Sequence, residues 1–200
     1  MSHDSNDNFP AARSVSRRRF IGQAALATFG LALSRFPAFA QGTTATTKWD
    51  ADMELAVTVE LAAPSGFRYN RPYVAVWIEN ASGKEVRTLS LWVETKGRGP
   101  RYIPELRRWY RSATNTDTLV DTVSAPTRNP GKYTLVWDGK DDKKAPLPQG
   151  EYTIFVETAR EHGPYSLVSE KVTIGAKGFK KTLDGNNDIS GVILEYREHA

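Results

Sequence analysis

From residue 53 the chain alternates. Leu55, Val57, Val59 and Leu61 stand at every second position, with Glu54, Ala56, Thr58 and Glu60 between them. A period of two puts successive side chains on opposite faces, so this run predicts a half-buried β-strand. Val74, Val76 and Ile78 repeat the period, but the residues between them, Tyr73, Ala75 and Trp77, are apolar as well. A strand with two apolar faces needs cover on both, which predicts a central place in its sheet. A turn at residues 80–84 (Asn-Ala-Ser-Gly-Lys) leads to a third strand at 86–93, and shorter runs follow at 133–137, 152–158, 167–174 and 192–197. Seven short strands separated by Gly, Pro, Asn and Asp turns predict an all-β fold, an antiparallel immunoglobulin-like β-sandwich. With no internal repeat, residues 53–200 are expected to form a single domain.

One stretch breaks the strand rhythm. Residues 104–111 begin with Pro104 and Glu105, residue types that suit a helix start. Leu106, Trp109 and Tyr110 then fall at i, i+3 and i+4, one apolar face of a two-turn helix whose other face is basic. The surrounding insertion, residues 96–120, is long for a sandwich loop, and long structured insertions often carry function.

The start of the chain has a different character. Ser16, Arg17, Arg18, Arg19, Phe20 and Ile21 precede an apolar run at residues 24–33, and Pro37, Ala38, Phe39 and Ala40 end it with an A-x-A pattern. Together these read as a twin-arginine (Tat) signal peptide over residues 1–40, cleaved after Ala40, which directs the protein to the periplasm. The apolar run is too short for a permanent membrane anchor, so the mature protein is not expected to be transmembrane. Small polar residues from Gln41 onward predict a flexible mature N-terminus over residues 41–52.

Removing the signal alters the electrostatics. Residues 1–40 hold five arginines against Asp4 and Asp7, so they carry +3 of the chain's +4 and leave +1 for the rest. A near-neutral domain gives no case for a nucleic-acid partner. The chain has no cysteine, which rules out disulfides, thiolate metal sites and a cysteine nucleophile. After Ala40 only two histidines remain, His162 in a Glu-His-Gly-Pro turn and His199 beside the C-terminus. Neither is placed to serve as a held general base, and no catalytic residue is assigned.

Two turns carry a recognisable pattern. Trp137, Asp138, Gly139, Lys140, Asp141 and Asp142 are followed by Pro148, Gln149, Gly150, Glu151 and Tyr152. Glycine supplies the backbone freedom each turn needs, and the run is similar to the Ig-like module of flagellar hook-capping proteins. Its three aspartates read as a solvated turn before they read as a calcium site. Asp184, Asn186, Asp188 and Glu195 have calcium-loop spacing, but Ile189 stands where that loop needs glycine, so a hairpin turn is expected and no metal is assigned.

The chain as a whole resembles a bacterial family of predicted periplasmic proteins, domain of unknown function 2271. The resemblance rests on residues 71–80 (RPYVAVWIEN), 89–92 (LSLW), 102–111 (YIPELRRWYR), the two turns above, 156–162 (VETAREH) and 188–191 (DISG), and covers most of residues 50–197. It implies a periplasmic β-domain from a family found beside membrane proteins with PepSY domains and beside flavin transferases, and it implies no known reaction.

Two sets of candidate residues follow. Periplasmic flavin transferases attach FMN to the last hydroxyl of a D-x-x-[ST]-G-A-[ST] motif. Asp121, Ser124 and Thr127 match its spacing, while Ala125 and Pro126 depart from it, and the segment reads first as a Ser/Thr/Pro-rich loop. The second set is a basic-aromatic cluster of Arg98, Arg101, Tyr102, Arg107, Arg108, Trp109, Tyr110 and Arg111. Arginines beside aromatic rings suit anionic or planar partners, although the rings could instead cap an open edge of the sandwich and leave the arginines solvated. The expected function is a non-catalytic binding or accessory module of a membrane flavin- or metal-linked redox system, with a periplasmic or inner-membrane protein partner. The alternative is an electron carrier with FMN joined to Thr127.

Overall fold

A computed structural model of the protein describes residues 47–63, 69–114 and 116–199. The signal-peptide reading of residues 1–40 and the first part of the flexible stretch, 41–46, lie outside the described residues. Among the described residues the strands are β1 (Met53–Leu61), β2 (Tyr73–Asn80), β3 (Glu85–Trp92), β4 (Ser124–Ala125), β5 (Gly131–Trp137), β6 (Gly150–Ala159), β7 (Tyr165–Ile174), β8 (Phe179–Asn186) and β9 (Ile189–Glu198).

They form two sheets, ordered β5-β1-β9-β8 and β4-β3-β2-β6-β7, and every pairing is antiparallel except the two-residue contact of β4 with β3. The expected all-β sandwich is present. The run β3-β2-β6-β7 follows the C′-C-F-G order of an immunoglobulin-type sheet, and β5-β1 follows E-B. The β8–β9 hairpin stands on the other side of β1, so among the described residues this hairpin takes the place where strand A of an immunoglobulin-like sandwich runs.

The alternating residues of β1 (Leu55, Val57, Val59) meet Val74, Val76 and Ile78 of β2 and Ile154 and Val156 of β6 in the core between the sheets. β2 lies between β3 and β6 with six consecutive buried residues, as its two apolar faces predict. Its other face carries Ala75 and Trp77, and with Leu91 and Phe155 these form a second cluster on the outside of the five-stranded sheet. The Trp77 and Phe155 rings stack at 4.7 Å there.

What covers this outer face is the insertion. It consists of a 3₁₀ segment (Gly99–Glu105), helix α1 (Arg107–Ser112) and helix α2 (Thr116–Val123). The single helix expected at 104–111 is therefore broken at Leu106, whose ψ of 69° is not helical. The break has a local cause: the Glu157 carboxylate of β6 accepts the amides of Arg108 and Trp109, both at 2.8 Å, and takes over the first turn of α1. Helix α2 was not expected from the sequence. Leu119 is its buried anchor, with Val120 and Val123 packed behind.

The stretch expected to be flexible is tied down over residues 47–52. Trp49 packs edge-on against Trp137 and Tyr196, at 4.7 and 5.5 Å between ring centroids. Its ring also explains Gly139, which has a φ of +71° and whose added Cβ would lie 2.2 Å from that ring.

Candidate functional site

Strand register brings four chain segments to one end of the sandwich. Tyr73 at the start of β2 faces Ala159 at the end of β6, and Ala159 faces Tyr165 across the β6–β7 turn. On the other side Val74 faces Trp92 at the end of β3, and Trp92 faces Ala125. Residues 69–73, 94–102, 127–129 and 161 therefore converge, and they enclose an open cleft of about 440 Å³. Loops at this end are the ones that form the binding surface of an immunoglobulin variable domain, because a rigid sandwich holds them while their sequences vary freely.

Each wall is fixed by its own contacts. Arg71 donates from Nε to the Asn129 side chain at 2.7 Å, and the Tyr133 hydroxyl donates to the Asn129 carbonyl at 2.8 Å. Tyr73 donates its hydroxyl to the Gly99 carbonyl at 3.0 Å, and burial raises its phenol above the ordinary value. Gly99 must be glycine here, since a Cβ would sit 2.3 Å from the Glu94 carbonyl oxygen. The Tyr102 hydroxyl donates to the Glu161 carboxylate, which raises the Tyr102 phenol in turn. Arg101 lies over the Tyr102 ring at 5.2 Å. Arg160 lies over Tyr69 at 5.6 Å and is itself clamped by both oxygens of buried Asp188, at 2.7 and 2.8 Å.

The sequence-predicted residues are divided by this geometry. Arg98 and Tyr102 line the cleft, with Arg101 against the Tyr102 ring. Trp109 does not belong to a contact surface: it is fully buried, with Leu106, under α1. Its ring N–H donates to the Thr88 hydroxyl at 3.0 Å, which donates to Glu85 at 2.7 Å. Arg108 is half-buried in an ion pair with Glu79 at 2.7 Å, so it too serves to dock the insertion. Arg107, Tyr110 and Arg111 are exposed on α1, away from the cleft lining.

Asp121, Ser124 and Thr127 are not brought together. Asp121 sits on α2 beside a smaller depression of about 310 Å³ that Tyr110 and Ile103 also line. Ser124 pairs with Leu91 as part of β4, and only Thr127 reaches the loop-end cleft. The two acidic segments read as turns hold as turns. Asp141 accepts the amides of Lys143 and Ala145, Asp142 accepts that of Thr88, and Asp188 is committed to Arg160. Sequence reading missed Tyr69, Asn70, Arg71, Tyr73, Glu94, Gly99, Asn129 and Glu161 as site residues. The one local signal was the Arg71-Pro72-Tyr73 run just before a strand.

The family model described as "Predicted periplasmic protein (DUF2271)" matches residues 54–191, from β1 into the β8–β9 hairpin. The chain belongs to this family. Every residue that lines the cleft lies within the matched span, so the cleft is built wholly from the DUF2271 domain. No curated protein and no solved structure matches the chain. Among the described residues, no helix is long and apolar enough to cross a membrane.

Proposed function

We propose that this DUF2271 protein is exported by the twin-arginine route, cleaved after Ala40, and acts in the periplasm as a non-catalytic binding module of a membrane flavin- or metal-linked redox system. The observation that carries this reading is the cleft, where polar and aromatic side chains from four loops are held on a rigid sandwich. Arg98 and Arg101 are both exposed there. Reversing their charge with Arg98→Glu and Arg101→Glu is expected to abolish crosslinking to a membrane partner in intact cells while the thermal midpoint stays put. Undiminished crosslinking would end this reading. Changing Trp109 instead would confuse lost binding with lost packing. Arg17→Lys with Arg18→Lys tests the route, and accumulation of uncleaved protein in the cytoplasm is the expected result.

The second reading, FMN joined to Thr127, draws support from one observation: Thr127 shares the cleft with Arg71 and Arg98, which suit a phosphate. The separation of Asp121 and Ser124 from Thr127 counts against a motif that works as one unit. Intact mass decides it. A gain of one FMN less one water, lost in Thr127→Ala, would establish the carrier, and an unmodified, colourless protein would remove it.

A further inference from the structure

We infer that the loop-end cleft binds a small organic anion, a carboxylate or phosphate group carried on an aromatic ring; this rests on reading the cleft as the working surface. The arginines of the domain differ in whether they find a carboxylate. Arg87 pairs with Asp142, Arg107 with Glu105, Arg108 with Glu79, Arg160 with Asp188 and Arg197 with Glu54. Among the described residues, Arg71, Arg98, Arg101, Arg111 and Arg128 have no carboxylate within ion-pairing distance. Of these, Arg111 stands on α1, outside the cleft lining. The other four gather at one end of the sandwich: Arg71 and Arg98 line the cleft, Arg101 lies over Tyr102, and Arg128 lies over Trp92 and Tyr133 between Thr127 and Asn129.

The two carboxylates of the cleft, Glu94 and Glu161, offset two of these four charges and leave an excess of two, and both are engaged by neutral donors. Glu161 accepts the Tyr102 hydroxyl, and Glu94 accepts the Lys96 amide. Arg71 uses its Nε on a neutral amide, and the Arg98 side chain makes no hydrogen bond among the described residues. Two guanidinium groups with donors to spare, a threonine hydroxyl and an asparagine amide are a donor set for an oxyanion. The rings of Tyr73 and Tyr102 supply the flat apolar surface that a bare inorganic ion would not use, and the volume suits a ligand of one or two rings.

Phenyl phosphate, benzoate, inorganic phosphate and benzyl alcohol, titrated by calorimetry into the full chain, test this. Phenyl phosphate or benzoate is expected to bind, with inorganic phosphate and benzyl alcohol each weaker; whichever anion binds better identifies the group. Arg98→Gln should weaken binding by about tenfold, while Arg111→Gln, which removes an equally exposed and unpaired charge elsewhere, should leave it unchanged. No heat from either aryl anion at millimolar concentration overturns the inference. So does equal loss in the two variants, which would mark general charge attraction, or equal affinity for inorganic phosphate, which would remove the ring. If no anion binds but charge reversal at Arg98 still abolishes partner crosslinking, the anion site falls and the binding module stands. If anions bind as expected and crosslinking is untouched, the reverse holds.

Discussion

Glu157 is the residue on which the insertion depends most. Its side chain is fully buried on β6, and its two oxygens accept the amides of Arg108 and Trp109 at 2.8 Å each. Hydrogen bonds to a charged acceptor contribute about 1.5–3 kcal/mol each, and a buried donor left without a partner loses about 1–3 kcal/mol. Glu157→Ala orphans both amides and leaves a small void, so it should destabilise the protein by about 3–5 kcal/mol, out of a total of roughly 5–15 for a domain of this kind. Glu157→Gln keeps one acceptor but points an amide N–H₂ at the other donor, and about 2 kcal/mol is expected.

The pH dependence gives a sharper test of the same residue. Burial raises the Glu157 carboxyl above its ordinary value of 4.5, against the pull of the two amides. A group whose folded value lies above its unfolded one binds its proton first in the folded state. Its contribution therefore grows as pH falls through the raised value toward 4.5. Glutamine has no such slope, so the stability gap between wild type and Glu157→Gln should widen on mild acidification. Urea unfolding followed by tryptophan fluorescence reads this directly, since Trp77 and Trp109 both lie in the cluster under the insertion. Tryptic cleavage beside exposed Arg98 and Arg101 should also accelerate in Glu157→Ala. A loss below about 1 kcal/mol in the alanine variant, or a gap that narrows on acidification, would refute the reasoning.

Three further outcomes are expected. Gly139→Ala, which must hold a φ of +71° and place a methyl against the Trp49 ring, should lose about 2–4 kcal/mol in the same urea assay and shift Trp49 emission to the red. Arg160→Gln leaves the Asp188 carboxylate buried without its counter-charge and should cost about 3–5 kcal/mol, with Asp188→Asn in the same background recovering part of the loss in a double-mutant cycle. The Arg197 hydrogen bond holds Glu54 below its ordinary 4.5. Its contribution is thus complete above that value and fades as pH falls through the depressed one. Arg197→Gln should therefore move the acid-unfolding midpoint to higher pH.

The fold was legible wherever one strand face is apolar. β1 and β2 announce their period, and the double-sided burial of β2 follows from the residues between its aliphatic ones. β8 was missed because an edge strand needs little apolar surface. Phe179 and Leu183 are its hydrophobic side chains packed on the core, while Lys180 and Lys181 pair with Glu195 and Glu170. α2 was missed because Thr116, Thr118, Val120, Thr122 and Val123 are β-branched, a composition with little helical preference, so tertiary packing of Leu119, Val120 and Val123 holds it helical. Of the site, Arg98 and Tyr102 stood out as part of a basic-aromatic run. The opposing wall did not, because residues 71, 129 and 161 are neighbours only through strand register, which no local pattern encodes.

The same run shows why composition alone misled about α1. An arginine and a tryptophan side by side read as a contact surface, yet Arg108 and Trp109 turn inward because the sheet beneath them carries glutamates on its outer face. Glu79, Glu85 and Glu157 are all buried, and buried glutamates survive only when paired. Glu79 holds Arg108 and the Trp77 ring N–H, Glu85 holds the Thr88 hydroxyl, and Glu157 holds the start of α1. Such pairs contribute little net stability over apolar packing, but they admit one docking geometry of the insertion. That geometry bears on function, because the 3₁₀ segment carries Gly99 and Tyr102 straight into α1. A cleft wall fixed in this way can meet a ligand without being ordered by it. The buried carboxylates are then the support of the proposed binding surface, and their removal should loosen ligand affinity and the insertion together.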